Sequence, residues 1–347
     1  MREAQDGSEA LVAVAVQDAV EWLARHGGTG PGGATAPEPS LLSRFLTREL
    51  ALRLEADGPA QGRPHEVAWA LGDRFAQQGR PDLAAVCRSP RVHQAISVGR
   101  WAATFVGVPA RFWQPALAAV ERGPGVPARA ALSLAAARAL LAAVGEGGVH
   151  LEAGRLPLPT VRALDDRFRW TEEFPWIRVA AGTDVPPLRI LQDHLVAQGL
   201  LRSEGDLLRR TALGRDCGAD TPLLWSTLVD PAPRWSGSFE RDALGALAAA
   251  VLRSADFSPG RVSEELSHVL ATRWRPTTDL AGAGVFDGAA AVAQAWYQLG
   301  VPLGWWDTGR GPADRRPNPL GRAAAVSVLR AVAAGPGAAG RSAASPS

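Results

Sequence analysis

Between Thr183 and Cys217 the chain reads TDVPPLRILQDHLVAQGLLRSEGDLLRRTALGRDC, an order that spells a helix, a tight hairpin and a restarted helix. Asp184 can cap the first helix, because a short carboxylate accepts from the unpaired N–H groups of a first turn. Pro186 and Pro187 cost little there, since those positions have no intrahelical donor to lose. Leu188, Leu191 and Leu195 recur at i, i+3 and i+7, and Ile190 and Val196 widen that apolar face. Gly199 ends the helix by entering the left-handed region freely. Leu200 and Leu201 begin a strand, Ser203 to Asp206 form a Gly-plus-acid turn, and Leu207 to Arg210 return. Thr211 can cap the next helix, and Gly214 permits a close backbone approach.

This pattern (apolar helix, Gly-Leu-Leu, polar turn, Leu-x-x-Arg-Thr-x-x-Gly) resembles the winged-helix superfamily of many bacterial DNA-binding regulators. A looser resemblance extends to actinobacterial proteins of uncharacterised activity that place such modules in series. The resemblance implies a mainly α, multi-helical fold with winged-helix-like modules carrying short β-hairpins, and duplex DNA as a partner.

Composition excludes more than it selects. All 37 basic residues are arginine, and Asn and Tyr each occur once. The joint scarcity of residues with AT-rich codons reads as a GC-rich genome. A chain without lysine has no P-loop lysine, no Schiff base and no Ser-x-x-Lys nucleophile. His-Glu-x-x-His, Gly-x-Ser-x-Gly and the Rossmann fingerprint are also missing. No catalytic residue, metal or cofactor is therefore assigned. The net charge of +2 does not call for a polyanion partner across the whole chain. Two cysteines, Cys87 and Cys217, fit a reducing cytoplasm rather than a disulfide framework. The apolar run Leu11 to Val16 is short and acid-flanked, unlike a signal peptide, and no stretch reaches the roughly 18 apolar residues of a membrane span.

In chain order, the sequence predicts an N-terminal helix in 1–26, a Gly/Pro linker in 27–39 and a helical domain in 40–127, with helices at Ser40–Glu55, Pro64–Gln78, Pro81–Arg88 and Arg91–Trp101. A winged-helix-like domain follows in 128–235, with one helix over Ala128–Val144, a strand at Val149 and Leu151, Gly154 in the role of Gly214, and a helix capped by Thr160. Trp170, Phe174, Pro175 and Trp176 form an aromatic cluster that locks helices together. A second helical, winged-helix-like domain spans 236–334, with helices at Asp242–Arg253, from Ser258, and from an Asp287 cap to Gly300. A disordered tail spans 335–347. Thr211-Ala-Leu-Gly-Arg215 and Asn318-Pro-Leu-Gly-Arg322 share a frame, which predicts a degenerate repeat whose second wing, measured from Gly300, is six residues longer.

Nucleic-acid contacts require donors for base edges and cations for phosphates. The first module offers Arg189, Gln192, Arg209 and Arg210, but over Thr183–Cys217 five arginines meet five acids, and a neutral head forgoes the counterion-release term. From Arg310 to Ser347 six arginines meet one acid, and Trp305 and Trp306 lie just upstream. Arg310, Arg315, Arg316 and Arg322 are the candidate phosphate contacts, with the tryptophans stacking on sugar or base; the alternative is a solvated Arg-rich loop packed on two core tryptophans. The competing reading is a scaffold whose modules bind a protein partner. Cys87 with His65 or His93 would make a thiol–imidazole pair, but a lone buried cysteine and two surface or core histidines are the commoner arrangement. Convergence of His65, His93 or His268 with a carboxylate in a deep pocket would instead indicate an enzyme.

Overall fold

The computed structural model describes residues 2–26, 37–50, 63–123, 126–173, 185–229, 238–275, 283–307 and 315–334. The chain is mainly helical with short antiparallel strands, and it divides into two compact units, 1–123 with 329–347, and 124–328. The linker stretch 27–36, the Asp184 cap, Phe174 to Trp176, Arg310 and the 335–347 tail lie outside the described residues.

The first unit is all-helical among the described residues: α1 (Arg2–His26), α2 (Pro39–Arg44), α3 (Phe45–Leu50), α4 (Pro64–Gln77), α5 (Pro81–Arg88), α6 (Pro90–Ala103) and α7 (Ala110–Arg122). Proline opens α2, α4, α5 and α6, where its fixed φ suits a first turn. Leu42, Leu46, Leu71, Leu83 and Ile96 are fully buried at its centre, with Trp22 of α1 beside them. The single helix expected from Ser40 starts at Pro39 and widens to π-winding at Phe45. The two oxygens of Glu121 on α7 take hydrogen bonds from Ser43 (2.5 Å) on the α-wound turn and Thr47 (3.2 Å) on the π-wound one.

The second unit holds two modules of similar order. The first comprises α8 (Ala130–Ser133), α9 (Ala135–Val144), β1 (Val149–His150), α10 (Leu158–Phe168), α11 (Pro186–Ala197), β2 (Leu201–Glu204), β3 (Leu207–Arg210), α12 (Ala212–Ala219) and α13 (Thr221–Val229). Its sheet has the order β1-β3-β2, all antiparallel, with Val149 opposite Leu208 and Leu201 opposite Arg210. The second comprises α14 (Ser238–Arg253), α15 (Pro259–Ala271), α16 (Ala283–Gly300), β4 (Trp306–Asp307), β5 (Arg316–Pro317) and α17 (Pro319–Ala334), whose residues from Leu329 onward belong to the first unit. In place of β1, Phe257 donates its N–H to the Arg315 carbonyl at 3.1 Å. Within this unit α11 packs against α16, and α15 against both α14 and α16.

Several expectations need correction. The Ala128–Val144 helix breaks at Leu134, where the buried Ser133 hydroxyl reaches the Leu303 carbonyl (2.5 Å). Thr160 lies inside the first turn of α10, which Pro157 precedes, and Asp287 lies inside α16. Gly154 does not repeat Gly214: it sits at φ +78° in the tight Glu152–Arg155 turn, with open space where a Cβ would stand.

The repeat is visible in the backbone bonds. Leu200 N–H donates to the Leu195 carbonyl and Thr211 N–H to the Leu200 carbonyl; Trp305 donates to Gly300 and Asn318 to Trp305 in the same way. Thr211 Oγ1 accepts from Gly214 N–H, and Asn318 Oδ1 accepts from Gly321 N–H, each at 3.0 Å. Leu201 pairs with Arg210, and Trp306 with Pro317. The residue matching Gly199 is thus Gly304, both with positive φ, rather than Gly300. Fifteen residues separate Gly199 from Gly214 and seventeen separate Gly304 from Gly321, so the second hairpin is longer by two residues, not six.

Candidate functional site

The sequence leaves two readings of the β4–β5 hairpin, a nucleic-acid surface or an Arg-rich loop packed on two core tryptophans, and the tryptophans follow the second. Its side chains are largely turned to internal tasks. Trp305 is 1% exposed and packs at 4.7 Å against Trp296 with the rings tilted by 40°, and Trp306 donates its indole N–H to the Tyr297 carbonyl at 3.0 Å. Neither ring is available to stack on a base. Arg315 is 6% exposed, with its guanidinium 5.6 Å from the Tyr297 ring centre. Arg322 donates to the Leu252 and Ser254 carbonyls, at 3.2 and 3.0 Å, satisfying the end of α14 where carbonyls lack helical partners. Arg316 is exposed but meets Asp256 at 2.8 Å. Arg322→Ala is therefore expected to lower unfolding stability by about 1–3 kcal/mol, as for a charged hydrogen-bond donor whose partners are left bare. Denaturant titration checks this, and Arg322→Lys should recover only part because an ammonium cannot span two carbonyls as a fork does.

The first hairpin is charge-paired. Glu204 meets Arg202 at 2.9 Å and Arg209 at 3.3 Å, and Arg210 meets Glu146 at 3.6 Å. Surface pairs of this kind are weak individually, yet their sum cancels the local field a phosphate backbone would feel. On α11 Arg189 is exposed, Gln192 half-buried and Asp193 exposed. The helix in the matching place, α16, carries no arginine at all.

The histidines form a cluster that sequence reasoning did not foresee. His65 on α4 and His93 on α6 place their Nδ1 atoms 2.8 Å apart, with rings stacked at 14°. Ser97 lies 3.2 Å from His65 Nε2 and donates to its own i−4 carbonyl, His93 O, at 3.1 Å. Trp69, 49% exposed, stacks on His93. Burial, then the charges of His93 and Arg100, push His65 down to about 4. Burial also lowers His93, partly offset by the Cys87 carbonyl. The hydroxyl–imidazole–imidazole order has the connectivity of a hydrolase triad, but Ser97 sits inside α6, whose N–H groups are taken by the helix and offer no oxyanion hole. Cys87 is a buried free cysteine, as the commoner reading has it: burial pushes its thiol up to about 12, where it is inert. The spacing of His65 and His93 carries no motif. Only the packing of α4 on α6 brings them together.

His268 and Glu264 stand one turn apart on α15, on the wall of a groove of about 710 Å3 that Trp274, Arg275, Val285 and Phe286 also line. They make no hydrogen bond to each other, and Phe286 is 44% exposed. Among the described residues no three His, Cys, Asp or Glu side chains gather at one point, and no helix is long and apolar enough to cross a membrane. Comparison with protein-family models, curated proteins and solved structures returns no match.

Proposed function

We propose that this is a non-catalytic scaffold whose two winged-helix-like modules bind a protein partner rather than duplex DNA. The order helix, strand, helix, helix, hairpin in the first module, with sheet order β1-β3-β2, supports the winged-helix relationship, and its recurrence from α14 to α17 supports modules in series. The partner reading rests chiefly on one observation: of the second hairpin's described candidate cations, Arg315 is buried on Tyr297, Arg322 is spent on helix carbonyls and Arg316 is paired with Asp256. A neutral reading head gains little from counterion release. Exposed apolar side chains at Val196, Leu213, Leu223 and Phe286 suit a protein surface better. The two buried free cysteines fit a cytoplasmic setting.

Duplex DNA remains the second reading, favoured by exposed Arg189 beside Gln192 on α11. Random-sequence duplex DNA, titrated with the purified protein at about 50 and 200 mM salt, separates the two, because phosphate binding falls steeply over that range. The expected result is no retardation at either salt. Partner capture should persist at the higher salt and be lost in Leu213→Asp with Leu223→Asp. Salt-sensitive DNA binding that Arg189→Ala or Arg316→Ala weakens would overturn the scaffold reading and establish the DNA one.

A further inference from the structure

We infer that the His65–His93 contact is an acid-released latch between α4 and α6, closed while the pair holds at most one extra proton and opened by the second. The Nδ1–Nδ1 separation of 2.8 Å is a hydrogen bond with room for one proton between two nitrogens. Whichever ring donates, the other must present a lone pair.

The first added proton is accommodated. A charged His93 can still donate from Nδ1 to His65, the Cys87 carbonyl of α5 favours its charged form, and the ring lies against Trp69 of α4. A second proton finds no place. It would set N–H against N–H across a 2.8 Å contact, with two positive rings stacked 5.2 Å apart.

Among the described residues, the charged groups around the pair do not favour that second charge. The charged groups acting on His65 are His93 and Arg100, both on α6 and both unfavourable to a second charge. On α4 itself Glu66 is paired with Arg63, and Asp73 with Arg88 of α5. The Cys87 thiol of α5 stays protonated. Glu121 of α7 is engaged by Ser43 of α2 and by Thr47 and Arg48 of α3, and Glu49 of α3 is itself engaged. The contact is thus favoured at neutral pH. Because the folded pKa values lie below the ordinary histidine value of about 6.5, stability is lost as the pH falls, and His65 charges only near 4. The two steps belong to the pair and are read as such.

The test uses the full chain. Histidine-ring NMR follows protonation, and hydrogen exchange, corrected for intrinsic rates, follows the α4 and α6 amides from pH 7 to pH 4. Between pH 6 and 4, protection in α4 and α6 should fall at least tenfold, in step with the second protonation and ahead of α14 and α15. His93→Gln keeps a hydrogen-bond partner for His65 without a titrating ring, so its loss should be several-fold smaller. If that variant is unprotected already at pH 7, His65→Gln carries the same comparison. Unchanged protection at pH 4 in the parent, or equal acid loss in the parent and a folded variant, would overturn the latch.

Discussion

Gly214→Ala is expected to lower the stability of the second unit by about 3 kcal/mol, at the upper end of overpacking costs. A Cβ at Gly214 would run into the Leu200 carbonyl oxygen, a backbone atom fixed by the bond it accepts from Thr211 N–H. It cannot turn aside as a flexible side chain would. Gly321→Ala meets the same obstacle in the Trp305 carbonyl, which accepts from Asn318 N–H. Gly205, at φ +63° in the first hairpin turn with open space around it, makes the control. There alanine suffers only left-handed strain, about 1 kcal/mol. Urea unfolding followed by far-UV circular dichroism ranks the three. If Gly214→Ala proved no worse than Gly205→Ala, the close helix–hairpin approach in the first module would be wrong.

Local chemistry made the first hairpin readable. Gly199, the Gly205 turn, the Thr211 cap and the Leu stripe of α11 each have a short-range physical cause, and each occurs where the spacing puts it. The second hairpin was harder because its cues are displaced. The chain makes an extra turn after Gly300, so Gly304 does the work of Gly199, and an Asn cap replaces the Thr cap. Long-range effects were not legible at all. The break at Leu134 accompanies a hydrogen bond from Ser133 to Leu303, and the π-winding at Phe45 accompanies bonds to Glu121, both far along the chain.

The candidate site shows the same division. Clustered arginines and tryptophans announce a cationic surface only if their side chains are free, and burial is decided by packing rather than by local sequence. Tyr297 and the open end of α14 lie at least eighteen residues from the arginines they engage, beyond any periodicity argument. Conversely the His65–His93 pair joins residues twenty-eight positions apart that share no motif. A chain without lysine also draws on arginine for tasks beyond charge: Arg138, Arg322 and Arg330 all donate to carbonyls at helix ends. Counting cations therefore overstates the free positive surface.

The repeat yields a compensating pair whose exchange should rescue itself. By the matching backbone bonds, Leu195 and Leu201 of the first module correspond to Gly300 and Trp306 of the second. Leu195 and Leu201 are both buried; in the second module the Trp306 indole occupies the space a side chain at Gly300 would need. Gly300→Leu alone should destabilise by about 3 kcal/mol through that clash. Trp306→Leu alone should cost about 2–4 kcal/mol, from the cavity it leaves. Together they reproduce the Leu–Leu arrangement, and leucine is also the better helix former by nearly 1 kcal/mol. The double variant should recover about 2–3 kcal/mol relative to the sum of the singles, a coupling typical of residues in direct contact. Denaturant midpoints of the parent, both singles and the double give that coupling directly. Additive losses would mean that the modules do not share a packing scheme, and that the repeat is confined to the hairpin backbone.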